Sequence, residues 1–218
     1  MILIDIDGTL IDSVPDLAFC VDETMRQCGI PVRGEASVRE WVGNGVERLI
    51  ERALSNDLNG QPTAESFALA MPIFMQVYAD NVSTRSRLYP GVEAGLDYLA
   101  SIPQLKIGCV TNKSKQFTHP LLKNLGLYDR FSIVVSGDTL SEKKPHPMPL
   151  LHAAKALEVK PEHSVMLGDS KSDVKAARAA GFHIICMSYG YNHGEDIRLS
   201  EPDAVIDSMS ELPTLIGY

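Results

Sequence analysis

Two carboxylates stand two residues apart near the start of the chain, in the run Asp5-Ile6-Asp7-Gly8-Thr9. Residues 2–4 before them are apolar, so the sequence predicts a short buried strand that ends in a polar loop. Like charges at this spacing oppose each other's ionisation, and a folded site must supply a cation or let them share a proton. We therefore expect the loop after this strand to carry chemistry.

Two other local structures could contain the same residues. In an Asx-turn, Asp7 and Gly8 would only reverse the chain. A calcium loop of the EF-hand type is excluded by position, because Leu10 stands where that loop needs Gly and Asp16 where it needs a bidentate Glu. The choice between a site and a turn depends on the rest of the chain.

A second pair of carboxylates, Asp169 and Asp173, follows the apolar residues 165–167. Their spacing of four places both on one face of a helix that begins there. Acids at a helix N-terminus also act as caps, which is the simpler interpretation of this pair taken alone. Several carboxylates that converge with Asp5 and Asp7 need a hard cation, and a site with few protein ligands and open water positions suits Mg²⁺.

Thr111, Asn112 and Lys144 are further polar residues at positions where chemistry could occur. Thr111 and Asn112 end the apolar run 106–110, and Lys144 lies in the cationic loop 143–147, whose prolines keep it out of a helix. A solvated basic turn is the alternative for that loop. Beside a cluster of acids, a lysine offers a point charge to a phosphate oxygen or to a nucleophilic carboxylate.

Most of these polar residues follow predicted strands. Apolar runs alternate with helical patterns after residue 90, which predicts an α/β fold with a Rossmann-like parallel sheet and helices on both faces. Ligands bind such sheets at the carboxyl ends of the strands. The predicted strands comprise residues 2–4, 106–110, 131–135, 165–167 and 182–187, and residues 204–206 are a candidate for a short extra strand.

Residues 14–81 show helical patterns and no strand pattern. Ser37 could cap the second of these helices, and Pro72 is an interior proline that would mark a kink or a boundary. We predict one α/β core of residues 1–13 and 82–218, with a helical domain of residues 14–81 inserted into it.

Composition narrows the class of protein. The 218 residues are 44% hydrophobic with a net charge of −8, which fits a globular protein and argues against nucleic-acid and anionic-membrane partners. The four cysteines form no C-x-x-C pair and the six histidines show no zinc spacing. With no apolar run of membrane length and no signal-peptide pattern, we expect a cytoplasmic protein, either a monomer or a homodimer.

Four motifs in a fixed order connect the chain to a known family. They resemble the motifs of the haloacid dehalogenase superfamily and together span the chain: Asp5-x-Asp7-x-Thr9, Thr111, Lys144, and Gly168-Asp169-x-x-x-Asp173. The helical segment 14–81 resembles the inserted cap of that superfamily, of the C1 type. Ile4 departs from the family pattern, because many relatives carry Phe at this position. We expect this difference to have no effect on the reaction.

The resemblance implies roles for the carboxylates. Asp5 is the nucleophile that forms an aspartyl-phosphate, and Asp7 protonates the leaving alkoxide and then deprotonates the attacking water. Mg²⁺ is expected on the side chains of Asp5 and Asp169 and on the backbone carbonyl of Asp7. Residues expected to support the loop and the metal shell are Thr9, Ser170 and Asp173.

The resemblance also implies how substrate is held. Thr111, the Asn112 backbone and Lys144 would bind the phosphoryl oxygens. In the cap, Gly43-Asn44-Gly45 would let the backbone approach a small ligand, unless it is only a turn between helices, and Arg48 is a candidate cation for a substrate carboxylate.

Further stretches are similar to one group within the superfamily, the bacterial phosphoglycolate phosphatases: 41–45, 110–113, 143–147 and 189–192. This likeness implies hydrolysis of 2-phosphoglycolate to glycolate and phosphate. A phosphatase or mutase for another small ester (a sugar phosphate, a nucleotide or pyrophosphate) and a non-catalytic Mg²⁺-binding regulatory module stay open as alternatives. A dehalogenase is disfavoured, because its reaction needs no acid such as Asp7 to protonate an alkoxide.

Overall fold

The computed structural model of the chain describes residues 1–216. Within them, the strands β1 to β8 comprise Ile2–Ile4, Ile11–Asp12, Arg87–Leu88, Ile107–Val110, Ile133–Val135, Val165–Gly168, His183–Met187 and Ala204–Ile206. The helices α1 to α9 comprise Val14–Gln27, Gly34–Trp41, Val46–Ser55, Ala64–Asn81, Val92–Ser101, Lys115–Asn124, Met148–Ala156, Lys171–Ala180 and Leu212–Leu215.

Six strands form one parallel sheet in the order β5-β4-β1-β6-β7-β8. The first strand of the chain therefore lies inside the sheet, with strands from much later in the sequence on both sides. Every predicted strand is present, including the short one at 204–206. The predicted α/β fold with a parallel sheet is confirmed.

Side chains of β1 alternate between the two faces of the sheet. Ile2 and Ile4 belong to one buried apolar cluster and Leu3 belongs to another. All three are at most 1% exposed, because helices pack on both faces. This double burial explains why the strand is apolar at every position.

In the sequence, helices α1 to α4 come between strands β2 and β3. The prediction that Ser37 caps the second helix is wrong, since α2 begins at Gly34 and Ser37 lies inside it. The expectation of a boundary at Pro72 is also wrong, because α4 continues through that residue from Ala64 to Asn81. Among residues 1–216, no helix combines the length and the apolar character that crossing a bilayer requires.

A two-stranded antiparallel ribbon, β2 with β3, lies where the chain enters and leaves the helical segment. Nearby, the buried carboxylate of Asp16 accepts hydrogen bonds from the backbone N–H of Arg85 and Ser86 and from the Ser86 hydroxyl. These contacts join the start of α1 to the segment after α4. The exact division into a core and a cap stays a prediction.

Candidate active site

The register of the sheet brings the predicted site residues to one edge. Ile4 on β1 lies opposite Cys109 on β4 and Leu167 on β6. Because the three strands are parallel and in step, the residues that follow them meet at the carboxyl edge of the sheet: Asp5, Thr111 and Asp169.

Asp5 is the acidic residue that directly follows β1. Its Oδ1 accepts a hydrogen bond from the backbone N–H of Ile6 at 2.8 Å, and its Oδ2 lies 3.0 Å from Nζ of Lys144. Burial raises the pKa of Asp5 to about 6, although Lys144 opposes this increase; the charges of Asp173 and Asp7 add to it. The carboxylate is thus held in one orientation while its charge is only partly balanced.

Lys144 lies behind Asp5 and joins it to Asp173. Its Nζ donates to Oδ1 of Asp173 at 2.7 Å and to the carbonyl of Val110 at 2.8 Å. Burial would lower the pKa of Lys144, but Asp173 and Asp5 outweigh burial and hold that pKa above its usual value. The other oxygen of Asp173 accepts from the Ser170 hydroxyl and backbone in a capping box that begins α8.

Asp169 is almost fully buried and accepts hydrogen bonds from neutral groups. The Thr9 hydroxyl donates to Oδ1 at 2.7 Å, and the Tyr191 N–H donates to Oδ2 at 2.6 Å. Burial raises the pKa of Asp169 well above its usual value, and the charges of Asp173 and Asp5 raise it further. Among the described residues, no basic side chain forms an ion pair with this carboxylate.

Asp5, Asp169 and Asp173 can present oxygens within 4.8 Å of one another. Carboxylate oxygens are the ligands that hard divalent cations prefer. The cluster therefore fits a divalent cation, and Asp169 is the member whose charge most needs one.

Asp7 is not a member of that cluster and pairs with Lys113. Nζ of Lys113 lies 2.9 Å and 3.1 Å from the two carboxylate oxygens of Asp7, and the lysine side chain is only 3% exposed. Burial would lower the pKa of Lys113, but Asp7 and Tyr78 raise it above its usual value. Lys113 had no predicted role, although its place two residues after Thr111 could have indicated that it reaches the same edge.

Thr111 and Asn112 lie at the start of the loop after β4. The Thr111 hydroxyl accepts from the N–H of Lys113 at 3.2 Å. The Asn112 side chain donates to the carbonyl of Lys144 at 2.9 Å. This bond connects the loops that carry the two predicted phosphate-binding segments.

A cavity of about 50 Å³ lies between the sheet edge and the helical segment. Its core side includes Asp5, Asp7, Thr111, Asn112, Lys113, Asp169, Ser170 and Tyr191; its helical side consists of Leu17, Val42, Gly43, Gly45, Val46 and Leu49. Predicted residues from both parts of the chain thus line one small space. Thr9, Lys144 and Asp173 contact the lining residues from behind.

The predicted loop Gly43-Asn44-Gly45 contributes its glycines to the cavity, whereas the Asn44 side chain accepts a hydrogen bond from Arg52. The glycines have φ of +133° and +93°, a region that side chains with a Cβ rarely adopt. Arg48 does not line the cavity, since its guanidinium donates to Glu51 and to the carbonyls of residues 58 and 60.

Comparisons with known proteins show what the chain is similar to. A family described as haloacid dehalogenase-like hydrolase matches residues 2–187. The chain is 61% identical to the phosphoglycolate phosphatase of Nitrosococcus oceani, over all of this chain and 96% of that protein. It is 42% identical to the phosphoglycolate phosphatase of Nitrosospira multiformis, over 99% and 94% of the two chains. A solved structure of a predicted phosphoglycolate phosphatase from Haemophilus somnus is similar with a TM-score of 0.92 and 32% identity, over 99% of this chain and 97% of that one.

Proposed function

The chain belongs to the haloacid dehalogenase-like hydrolases, and we propose that it is a phosphatase that converts 2-phosphoglycolate to glycolate and phosphate. The observation that carries this proposal is the small cavity in which Asp5 and Asp7 meet beneath the helical segment. Its size suits a substrate with little beyond its phosphate. The relatives named for this activity match nearly the full length of the chain, which supports the same choice.

Asp5 and Asp7 divide the chemistry between them in this proposal. The Asp5 carboxylate attacks phosphorus, and the resulting aspartyl-phosphate splits one difficult displacement into two. Asp7 gives a proton to the leaving alkoxide oxygen and later takes one from the water that attacks the intermediate. The positions of the two carboxylates support these roles, since both line the cavity and each is held by its own lysine, Asp5 by Lys144 and Asp7 by Lys113.

Asp5, Asp169 and the backbone carbonyl of Asp7 are the proposed ligands of Mg²⁺, with Ser170 and Asp173 orienting them. The buried carboxylate cluster supports this assignment. When bound, the ion reduces the repulsion between the Asp5 carboxylate and an anionic phosphate.

Thr111, the Asn112 backbone and Lys144 balance the charge of the phosphoryl group. Thr111 and Asn112 line the cavity beside Asp5, and Lys144 contacts the nucleophile directly. Lys144 is already in place before substrate arrives, because its buried bonds to Asp173 and Val110 hold it there. Such pre-organised charge costs no rearrangement during the reaction.

The helical segment 14–81 is the proposed cap. It covers the carboxylates with apolar side chains, which exclude water from the reacting groups. The cap must separate from the core to admit substrate and release products.

A phosphate-release panel tests the proposal. Purified protein with Mg²⁺ is given 2-phosphoglycolate, a hexose phosphate, a nucleotide, pyrophosphate and an aryl phosphate, and we expect the highest kcat/KM for 2-phosphoglycolate. A higher value for a sugar phosphate would overturn the substrate and leave the phosphatase chemistry intact. Release from none of the esters would contradict both.

A further inference from the structure

Lys113 supplies the cationic group in the lining of the cavity. Among residues 1–216, the other lining residues are acidic, neutral polar, glycine or apolar. The ammonium lies 5.1 Å from the centre of the Tyr78 ring, which is fully buried. The charge of Lys113 is thus held at one place beside Asp7 and faces the space where substrate binds.

Lys144 is the nearest other cation inside the core, but it lies behind Asp5 and does not line the cavity where the substrate carboxylate would bind. An ammonium has three N–H donors. Those of Lys144 are matched by three acceptors: Asp5, Asp173 and the carbonyl of Val110.

The cations of the helical segment near the cavity bind other groups. Arg48 donates to Glu51 and to two backbone carbonyls. Arg52 donates to the carbonyls of Trp41 and Leu58 and to the Asn44 side chain. The helical side of the cavity therefore offers apolar surface and backbone, and no cationic side chain, to a substrate carboxylate.

We propose that Lys113 determines specificity by binding the carboxylate of the substrate. This inference rests on the proposed function. In 2-phosphoglycolate a single methylene separates the ester oxygen from the carboxylate. Asp7 must reach that ester oxygen to protonate it, and Nζ of Lys113 lies within 3.1 Å of both Asp7 oxygens. A carboxylate one carbon beyond the ester oxygen therefore lies beside Nζ.

The ammonium can serve both anions at once. The two carboxylate oxygens of Asp7 accept from two donors of Lys113, so the third N–H can turn to the substrate while both contacts with Asp7 are kept. Water is largely excluded from this buried position, which strengthens the attraction between opposite charges. The class of preferred substrates follows: phosphate esters with a carboxylate on the carbon that carries the ester oxygen.

The test compares two substrates that differ in the carboxylate. For wild type and Lys113→Met, kcat/KM is measured for 2-phosphoglycolate and for ethyl phosphate. A lost hydrogen bond to a charged group corresponds to about a 10- to 100-fold effect, so we expect the preference for 2-phosphoglycolate to fall by about that factor. Lys115→Met removes the same charge from an exposed position two residues away and should leave the preference unchanged.

Two further measurements distinguish recognition of the substrate carboxylate by Lys113 from an effect of the substitution on folding or on turnover. Lys113→Arg keeps the charge and should retain part of the preference, and Lys113→Gln replaces the Met variant if that protein does not fold. Binding of 2-phosphoglycolate by Asp5→Asn, with and without Lys113→Met, reports recognition without turnover and should weaken by a similar factor.

The outcomes distinguish this inference from the proposed function. If Lys113→Met lowers kcat/KM equally for both substrates, Lys113 acts only through Asp7 and the inference is wrong. If wild type shows no preference for 2-phosphoglycolate over ethyl phosphate, the proposed function itself fails. An unchanged preference in the variant overturns the inference alone.

Discussion

The two sides of the cavity are built from different groups. The core side presents charged and polar side chains held by short hydrogen bonds, such as those of Lys144 to Asp173 and of Thr9 to Asp169. The helical side presents apolar side chains and the backbone of two glycines. In the proposed function, the core side therefore supplies the chemistry, and the helical side supplies shape and exclusion of water.

The two sides also differ in how they are fixed. The core contacts join residues far apart in sequence and are buried from solvent. At the rim of the cavity, two contacts reach the backbone of the helical segment: Lys143 donates to the carbonyl of Asn44, and His193 contacts the carbonyl of Glu40. These rim contacts are exposed and individually weak. A change on the core side should thus stop the reaction, whereas a change on the helical side should alter substrate preference.

The largest expected effect is that of Asp5→Asn. The variant keeps the shape of the side chain but loses the anion that attacks phosphorus, so kcat should fall by about 10³-fold or more. The exposed Asp97→Asn is a matched control and should keep normal activity. Near-normal turnover by Asp5→Asn, in a preparation free of wild-type enzyme, would show that Asp5 is not the nucleophile.

The core side was largely predictable from sequence, because its residues follow apolar runs at recognisable spacings. Asp5, Thr111 and Asp169 each come directly after a strand, and parallel strands in step place their ends together. The partner of Asp7 was not predictable in the same way. The residue type of Lys113 did not distinguish it from an exposed loop lysine, and only the fold shows that it is buried against Tyr78.

The helical side was predicted less well. Its helices were expected from their apolar periodicity, but the start of α2 and the continuity of α4 through Pro72 were not. The two-residue strands β2 and β3 are too short to produce a pattern. Arg48 was expected near substrate because of its charge, and local acceptors within the helical segment hold it elsewhere.

A second prediction concerns the proposed metal site. Asp169→Ala removes a proposed direct ligand, so the Mg²⁺ concentration for half-maximal phosphate release should rise by about 10-fold or more. Chelation should stop the wild-type reaction and Mg²⁺ should restore it. Unchanged Mg²⁺ dependence in the variant would mean that Asp169 is not a ligand and that another group on the core side binds the ion.

A third prediction concerns pH and the stability of the metal-free protein. The pKa of Asp5 is about 6 in the folded state against 3.8 as an ordinary value, mainly because of burial. The folded state therefore holds this proton more tightly than the unfolded state. Asp5 therefore makes its full contribution to the stability of the folded state below pH 3.8, and this contribution is lost as pH rises through about 6.

The measurement is a set of thermal melts in chelator from pH 4 to pH 7. Relative to wild type, Asp5→Asn should gain stability as pH rises, by about 2 kcal/mol, or roughly 4–8 °C in Tm for a chain of this size. Saturating Mg²⁺ should remove much of this difference, because it binds the wild-type carboxylate. A gain in the opposite direction would mean that Lys144 outweighs burial at Asp5.

A fourth prediction concerns the glycines on the helical side. Gly45 has φ of +93°, and a Cβ there would lie 3.1 Å from Nζ of Lys143. Gly45→Val should lower kcat/KM for 2-phosphoglycolate by about 10-fold, or 1.4 kcal/mol, through backbone strain and poorer closure. An aryl phosphate that reacts with the cap partly open should be affected less.

Gly34→Val is the matched control for that variant. Gly34 also has positive φ, at +77°, but nothing lies within 4 Å of a Cβ built there, and it does not line the cavity. The Gly34→Val substitution should lower the stability of the protein with little change in substrate preference. Equal losses for both substrates in Gly45→Val would mean that the loop is only structural.

The smallest expected effect is that of Lys143→Met. Nζ of Lys143 lies 3.2 Å from the carbonyl of Asn44, in an exposed position at the rim. Such a contact is worth about 0.5–1 kcal/mol, so KM for 2-phosphoglycolate should rise by roughly two- to fivefold while kcat changes little. The matched Lys115→Met should leave KM unchanged. A loss of tenfold or more in kcat would instead assign Lys143 to the core side, as a group that acts on the reacting phosphate. Lys143 and Lys144 are adjacent in sequence, but Lys143 contacts the helical side of the cavity and Lys144 contacts Asp5 on the core side. Comparing variants of these two lysines therefore tests directly whether the core side acts on catalysis and the helical side on substrate binding.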